Sequence, residues 1–213
     1  MHYSWADGAE TWDAEFGEAL TELNRLVLAT GERVEGNSFY WDDTLTGAGQ
    51  APSEQTAKRR FALWRHAKEA KRVLEIGVNA GHGALLMLAS RPDLTYTGID
   101  IAEHGYTIPA LRWLTERSGG RVQAIIGDSA RALPVLAFEG VPVFDFTHVD
   151  GAHDLASAAA DIFGAWWLTS RDGSILVDDM HLPGPRQAAE RAVSQLFLQG
   201  EIGPEVAELW RHS

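Results

Sequence analysis

The chain has 213 residues, 45% of them hydrophobic and 23% charged, which suits one globular domain with a sizeable core. A formal charge of −12, with no basic run longer than Lys58-Arg59-Arg60, speaks against a nucleic-acid partner, because binding phosphates takes a basic surface. The absence of cysteine excludes disulfides and thiolate metal sites; no apolar run has membrane-spanning length, and the acidic start MHYSWADGAE lacks the apolar stretch of a signal peptide, so a cytoplasmic protein is expected.

In chain order, Trp12, Phe16, Leu20, Leu23 and Val27 recur at helical spacing and predict a helix from Thr11 to about Thr30, stopped by Gly31. Residues 31–52 show no period, and Gly36, Gly47 and Gly49 surround the stretch SFYWDD. A loop of that length is usually functional or mobile. It reads as a substrate lid over residues 36–48, or as a surface loop pinned to the core by Phe39 and Trp41. Residues 1–52 are thus an N-terminal helical extension, and residues 53–213 the main domain. Ser53 caps a helix with Phe61 and Trp64 on one face.

After Lys71 short apolar runs alternate with helical patterns. The runs are RVLEIG (72–77), TYTGIDI (95–101), VQAIIGD (122–128), VFDFTHVD (143–150) and SILVDD (174–179). Between and after them, helices are expected at 82–91, 107–118, 129–138, 154–169 and 185–199. Strands alternating with helices mean a doubly wound, mostly parallel α/β sheet with helices on both faces. Ligands gather beyond the carboxyl ends of such strands. Asp100, Asp128, Asp150, Asp178 and Asp179 all fall there, where packing gives no reason for an acid.

The first crossover reads VLEIGVNAGHGALLM. Gly77, Gly81 and Gly83 allow positive φ and a close approach of backbone to ligand. Their spacing, G-x-x-x-G-x-G, differs from the G-x-G-x-x-G of dinucleotide enzymes. The loop ends near a helix start, whose free N–H groups favour a carboxylate or phosphate. Asp100, about 25 residues beyond Glu75, is placed to accept hydrogen bonds from ribose hydroxyls.

The stretch E-I-G-x-x-x-G, the acid at the next strand end and the GDS at 127–129 resemble class I S-adenosylmethionine-dependent methyltransferases over roughly residues 53–199. The resemblance implies a Rossmann-like fold and S-adenosyl-L-methionine as cofactor. Gly77, Asn79 and Gly81 would border its methionine part and Asp100 would hold its ribose. Asp128 and Ser129 would flank the adenine, and Glu75 would support the loop and the amino group. A purely structural acid is the competing reading of Glu75.

The stretch HVDGAHD (148–154) puts Asp150 at the end of one strand, and Asp178-Asp179 end the next. In a doubly wound sheet these strands are neighbours, so three carboxylates converge and would repel without a counter-charge. A divalent cation, Mg2+ first among candidates, resolves this and keeps positions open for substrate oxygens. The D-G-x-H detail and the LPGP at 182–185 resemble catechol O-methyltransferase and metal-dependent sugar O-methyltransferases of antibiotic pathways. That resemblance implies Asp150, Asp178 and Asp179 as metal ligands and His153 as general base. His148, on the same strand face as Asp150, reads as a satisfied buried histidine rather than a ligand. His82 reads as a cofactor contact, His181 as a pocket residue, Trp166-Trp167 as core, and Trp113 as core or adenine border.

Two departures stand out. The acid pair is Asp-Asp where the family often has Asp-Asn or Glu-Asp. Only EVAELWRH (205–212) remains as a strand candidate for the family's closing hairpin, which leaves two alternatives: a shortened sheet, or an edge covered by another subunit, as in a homodimer. The function expected is divalent-metal-dependent O-methylation of a small-molecule acceptor with adjacent oxygens. The rivals are metal-independent N- or O-methylation, a catalytically silent cofactor-binding partner protein and, more weakly, a dehydrogenase.

Overall fold

The computed structural model describes residues 1–35, 37–41, 44–140, 143–195 and 198–211. The chain forms two compact units. One comprises residues 1–69, 78–96 and 102–124, and the other residues 70–77, 97–101 and 125–213.

The first unit begins with an antiparallel hairpin, β1 (Tyr3–Ala6) and β2 (Ala9–Trp12). Its turn is Asp7-Gly8, both at positive φ (51° and 82°), as a two-residue hairpin turn requires. The predicted helix therefore starts later than Thr11. α1 runs Ala14–Thr30, and Asp13 caps it by accepting the Phe16 N–H at 2.8 Å. Trp12 belongs to the strand, not the helix, and stacks on Tyr3 with centroids 6.2 Å apart. The other predicted apolar positions (Phe16, Leu20, Leu23, Val27) are the buried face, and Gly31 closes the helix in the left-handed region. After a 3-10 turn at Glu54–Thr56, with Ser53 at its cap, come α2 (Ala57–Ala67), α3 (His82–Ser90) and α4 (Thr107–Arg117).

Arg60 is 1% exposed and holds this unit's N-terminal part together. Its guanidinium makes two bonds to the Glu10 carboxylate (2.8 and 2.7 Å) and donates to the carbonyls of Ser38 and Ser53 and to Thr56 Oγ1. The fork geometry and satisfied donors are what make a buried charge tolerable. Residues 36, 42 and 43 of the expected lid lie outside the described residues. Within the rest, Phe39 is an anchor as expected, but the second anchor is Tyr40, whereas Trp41 is 50% exposed. Asn24 Nδ2 donates to the Tyr40 hydroxyl at 2.6 Å.

The second unit holds most of a seven-stranded sheet of order β5-β4-β3-β6-β7-β9-β8. These strands are β3 (Arg72–Ile76), β4 (Thr95–Asp100), β5 (Val122–Ile126), β6 (Phe144–Val149), β7 (Thr169–Val177), β8 (Leu198–Ile202) and β9 (Ala207–Arg211). β6 runs parallel to β3 on one side and to β7 on the other, while β9 is antiparallel to both β7 and β8. The unit's helices are α5 (Ser129–Phe138), α6 (Leu155–Leu168) and α7 (Pro183–Gln195). Leu74, Ile76, Val149, Ile162, Ile175 and Val177 belong to one buried apolar cluster. Strand order reverses between β3 and β6, the switch point at which such sheets bind ligands.

Two expectations fail here. The sheet is not shortened: the predicted helix 185–199 ends at Gln195, and β8 and β9 form the closing hairpin. The open edge that motivated a second subunit is therefore filled by the chain itself. Trp167 is 58% exposed and is not core, although Trp166 packs against the apolar cluster.

Candidate active site

Asp100, Asp150 and Asp178 sit where the sheet's hydrogen-bond ladder runs one residue past a strand. Asp150 N–H donates to Ile76 O (2.8 Å), Asp178 N–H to Val149 O (2.9 Å) and Gly127 N–H to Asp100 O (2.8 Å). Backbone at the carboxyl edge is thus fixed before side chains are considered. Gly77 has φ 86°, and a Cβ there would stand 2.0 Å from the Asp150 carbonyl oxygen. Only glycine lets the ends of β3 and β6 approach that closely.

Glu75 and His148 are paired residues of β3 and β6, both almost fully buried. His148 Nδ1 donates to Glu75 Oε1 at 2.9 Å. Its Nε2 has no hydrogen-bond partner and lies 3.9 Å from Asp178 Oδ2, an ion-pair distance. Among the described residues, His148, Asp150 and Asp178 form a group that can bring ligand atoms within 4.8 Å of one another. Burial works to lower the His148 pKa, but the carboxylates of Asp178, Glu75 and Asp150 win and raise it to about 10. These carboxylates thus favour the protonated imidazole.

Asp179 points elsewhere. Its φ is 57°, a left-handed turn that aspartate tolerates. Its Oδ2 lies 2.9 Å from His153 Nε2 and its Oδ1 3.8 Å from His181 Nδ1. Of the expected trio Asp150, Asp178 and Asp179, the first two lie beside His148 in this group, and the Asp179 carboxylate contacts His153 and His181. His153 is held from behind, because Asp154 caps α6 by accepting the N–H groups of Ala156 and Ser157 (2.9 and 3.0 Å). A hydrogen bond from the Ser157 side chain, with those backbone bonds, holds the Asp154 carboxyl below its ordinary range. A Cβ on Gly184, at the start of α7, would meet His153 O at 2.1 Å.

Of the residues expected to bind cofactor, Asp100 ends β4 and is half-buried, and Ser129 opens α5. Asp128 is exposed and caps α5, accepting the Ala130 N–H at 2.9 Å. In the first unit, Asn79 and Gly81 both have positive φ (53° and 78°), and Asn79 Nδ2 donates to Glu35 O. Gly81 starts α3 without a side-chain cap. His82, expected to touch cofactor, is instead buried, with Nε2 2.9 Å from Asn24 Oδ1.

Asp161 of α6 was missed by the sequence reading. It is buried, its Oδ1 has no hydrogen-bond partner, and its Oδ2 would stand 2.9 Å from a Cβ on Gly151. Burial pushes its pKa up to about 6. The signal was an acid on a helical face with Ala158, Ile162 and Ala165.

A family model described as a methyltransferase domain matches residues 74–180. No curated protein matches the sequence. Solved structures of similar fold include the O-methyltransferase TomG from Streptomyces achromogenes, involved in tomaymycin synthesis and solved with S-adenosylmethionine. It is 19% identical, with a TM-score of 0.67 over 95% of this chain and 92% of that one. An O-methyltransferase from Bacillus cereus bound to S-adenosylhomocysteine is 16% identical, with a TM-score of 0.64 over 90% and 89%. CalS11, a TDP-rhamnose 3′-O-methyltransferase of calicheamicin biosynthesis, is 14% identical, with a TM-score of 0.63 over 95% and 97%. The family match covers half of the chain and runs from β3 through the Asp178-Asp179 pair, and the chain belongs to the methyltransferase-domain family.

Proposed function

We propose that this protein is an S-adenosylmethionine-dependent O-methyltransferase for a small molecule with adjacent oxygens (a catechol, vicinal diol or sugar), working with a divalent cation. The observation that carries the cation is the buried Nε2 of His148, without a hydrogen-bond partner beside the carboxylates of Asp150 and Asp178. This donor set fits a divalent ion. Once bound, the cation would supply positive charge that makes an acceptor hydroxyl more acidic. S-adenosylmethionine would supply a methyl group on a sulfonium leaving group.

The chain's own residues do the rest. The α3 start at Gly81, with no side-chain cap, offers N–H groups to a carboxylate, which supports Asn79 and Gly81, with Gly77 and Glu75 of the same sequence stretch, as residues that serve the methionine part. Asp100 accepts from the ribose hydroxyls, and Asp128 and Ser129 flank the adenine. Asp150 and Asp178 hold the cation. His153 Nε2 takes the acceptor's proton. The Asp179 carboxylate, 2.9 Å away, orients that imidazole and stabilises its protonated form.

The test is transfer of labelled methyl from S-adenosylmethionine to a panel of catechols, vicinal diols and sugars, with and without chelator. Turnover should fall at least about 100-fold in chelator and return on adding metal. One observation favours a metal-independent reading: protonated His148 already supplies a counter-charge to Glu75, Asp150 and Asp178. Turnover indifferent to chelator would make that reading the correct one.

A further inference from the structure

The carboxylate pair Asp150 and Asp178 would by itself be an ordinary acidic edge. What sets it apart is a buried imidazole nitrogen aimed into it. His148 is fixed at the far side of its ring by Glu75, whose Oε1 accepts from Nδ1 at 2.9 Å, and both residues are walled into the sheet. The ring therefore cannot turn to find another partner for Nε2, which faces Asp150 and Asp178 without a hydrogen bond. A carboxylate behind one ring nitrogen with a bare second nitrogen is the arrangement that orients histidine ligands to metals. Ligand atoms at bond lengths of 2.0–2.2 Å from one ion lie about 3–4.4 Å apart. The His148, Asp150 and Asp178 donors lie within 4.8 Å of one another, and Nε2 of His148 is 3.9 Å from Asp178 Oδ2, inside that range.

Resting on the reading that this site takes a cation, we propose that His148 Nε2 is a direct ligand beside Asp150 and Asp178, that Glu75 orients it, and that the site prefers Mn2+ or Co2+ to Mg2+. Imidazole suits first-row transition metals, whereas Mg2+ and Ca2+ take oxygen donors. Asp179 is then free of the cation and serves His153. Three protein ligands leave positions open for two adjacent oxygens of an acceptor.

The experiment uses metal-stripped full-length protein titrated calorimetrically with Mn2+, Co2+ and Mg2+, together with pulsed electron paramagnetic resonance of bound Mn2+. Mn2+ and Co2+ should bind at least about 10-fold more tightly than Mg2+, and the spectrum should show a directly coordinated 14N. His148→Gln should abolish the 14N coupling and the preference. Glu75→Gln should keep the coupling and weaken Mn2+ binding by about 10–100-fold. His153→Gln should change neither. If His148→Gln does not fold, the double variant His153→Gln/His181→Gln decides, because coupling retained there belongs to His148. Tight Mn2+ binding with no 14N coupling, or coupling that survives in His148→Gln, overturns the inference and leaves cation-dependent catalysis standing. No binding of any of the three ions at millimolar concentration overturns both.

Discussion

Oδ2 of Asp179 lies 2.9 Å from Nε2 of His153, and this contact gives two consecutive acids different tasks. Asp178 faces His148 and Asp150, while the left-handed turn at Asp179 swings the next carboxylate to the exposed histidine. If His153 is the base, His153→Ala should cut kcat by about 10²–10⁴-fold, the usual share of general acid–base catalysis. Cofactor affinity, read by calorimetry, should stay within about twofold. Asp179→Asn should lose activity without losing Mn2+ affinity. An Asp179→Asn protein that no longer binds metal would return Asp179 to the ligand set.

Gly77→Ala should damage fold and site together. The new Cβ would sit 2.0 Å from the Asp150 carbonyl oxygen at φ 86°. The backbone conformation alone costs about 1–3 kcal/mol, and the clash adds to it. Gly119→Ala is the control: its φ is 64°, but nothing lies within 4 Å of its Cβ, so about 1 kcal/mol is expected. Urea denaturation should show the larger loss for Gly77→Ala, and metal affinity should fall only in that variant.

Arg60, buried, and Glu10, part-buried, make a two-bonded ion pair. Arg60→Met should cost about 3–5 kcal/mol, because it strands the Glu10 carboxylate and three acceptors. Tyr3 donates to the same carboxylate at 2.6 Å. Replacing Glu10 and Arg60 together by Met should cost less than the sum of the single changes in a double-mutant cycle. Strict additivity in urea melts would mean that the pair is not coupled.

His82 makes stability depend on acid. Burial lowers its pKa from 6.5 to about 4, so the unfolded chain binds a proton that the folded one refuses. Its contribution is fully present above about pH 6.5 and is lost as pH falls toward 4, amounting to about 3 kcal/mol. His82→Gln can still donate to Asn24 Oδ1 but does not titrate. Its urea-derived stability should fall less between pH 7 and 4.5 than that of the wild type. Equal slopes would remove His82 from the acid response.

The residues after Lys71 specified a doubly wound sheet because strand and helix periods are local and each acid sits at a boundary between them. The same boundaries exposed Gly77, Asp100, Asp128, Asp150, Asp178 and His153. The N-terminal hairpin escaped because its strands are four residues long, too short for period to separate from helix, although the Asp7-Gly8 turn was visible. Of the closing hairpin, β9 was legible in EVAELWRH, whereas β8 escaped because an apolar helical stripe ran unbroken toward it. What only the tertiary structure decided is which acid faces which histidine. Period-2 counting put His148 on the face of Asp150, but its pairing with Glu75 depends on the register of β6 against β3. The separation of Asp178 from Asp179 depends on a single left-handed residue. Register and a backbone turn are settled by packing over the whole sheet, and a sequence of side-chain types carries no direct record of either.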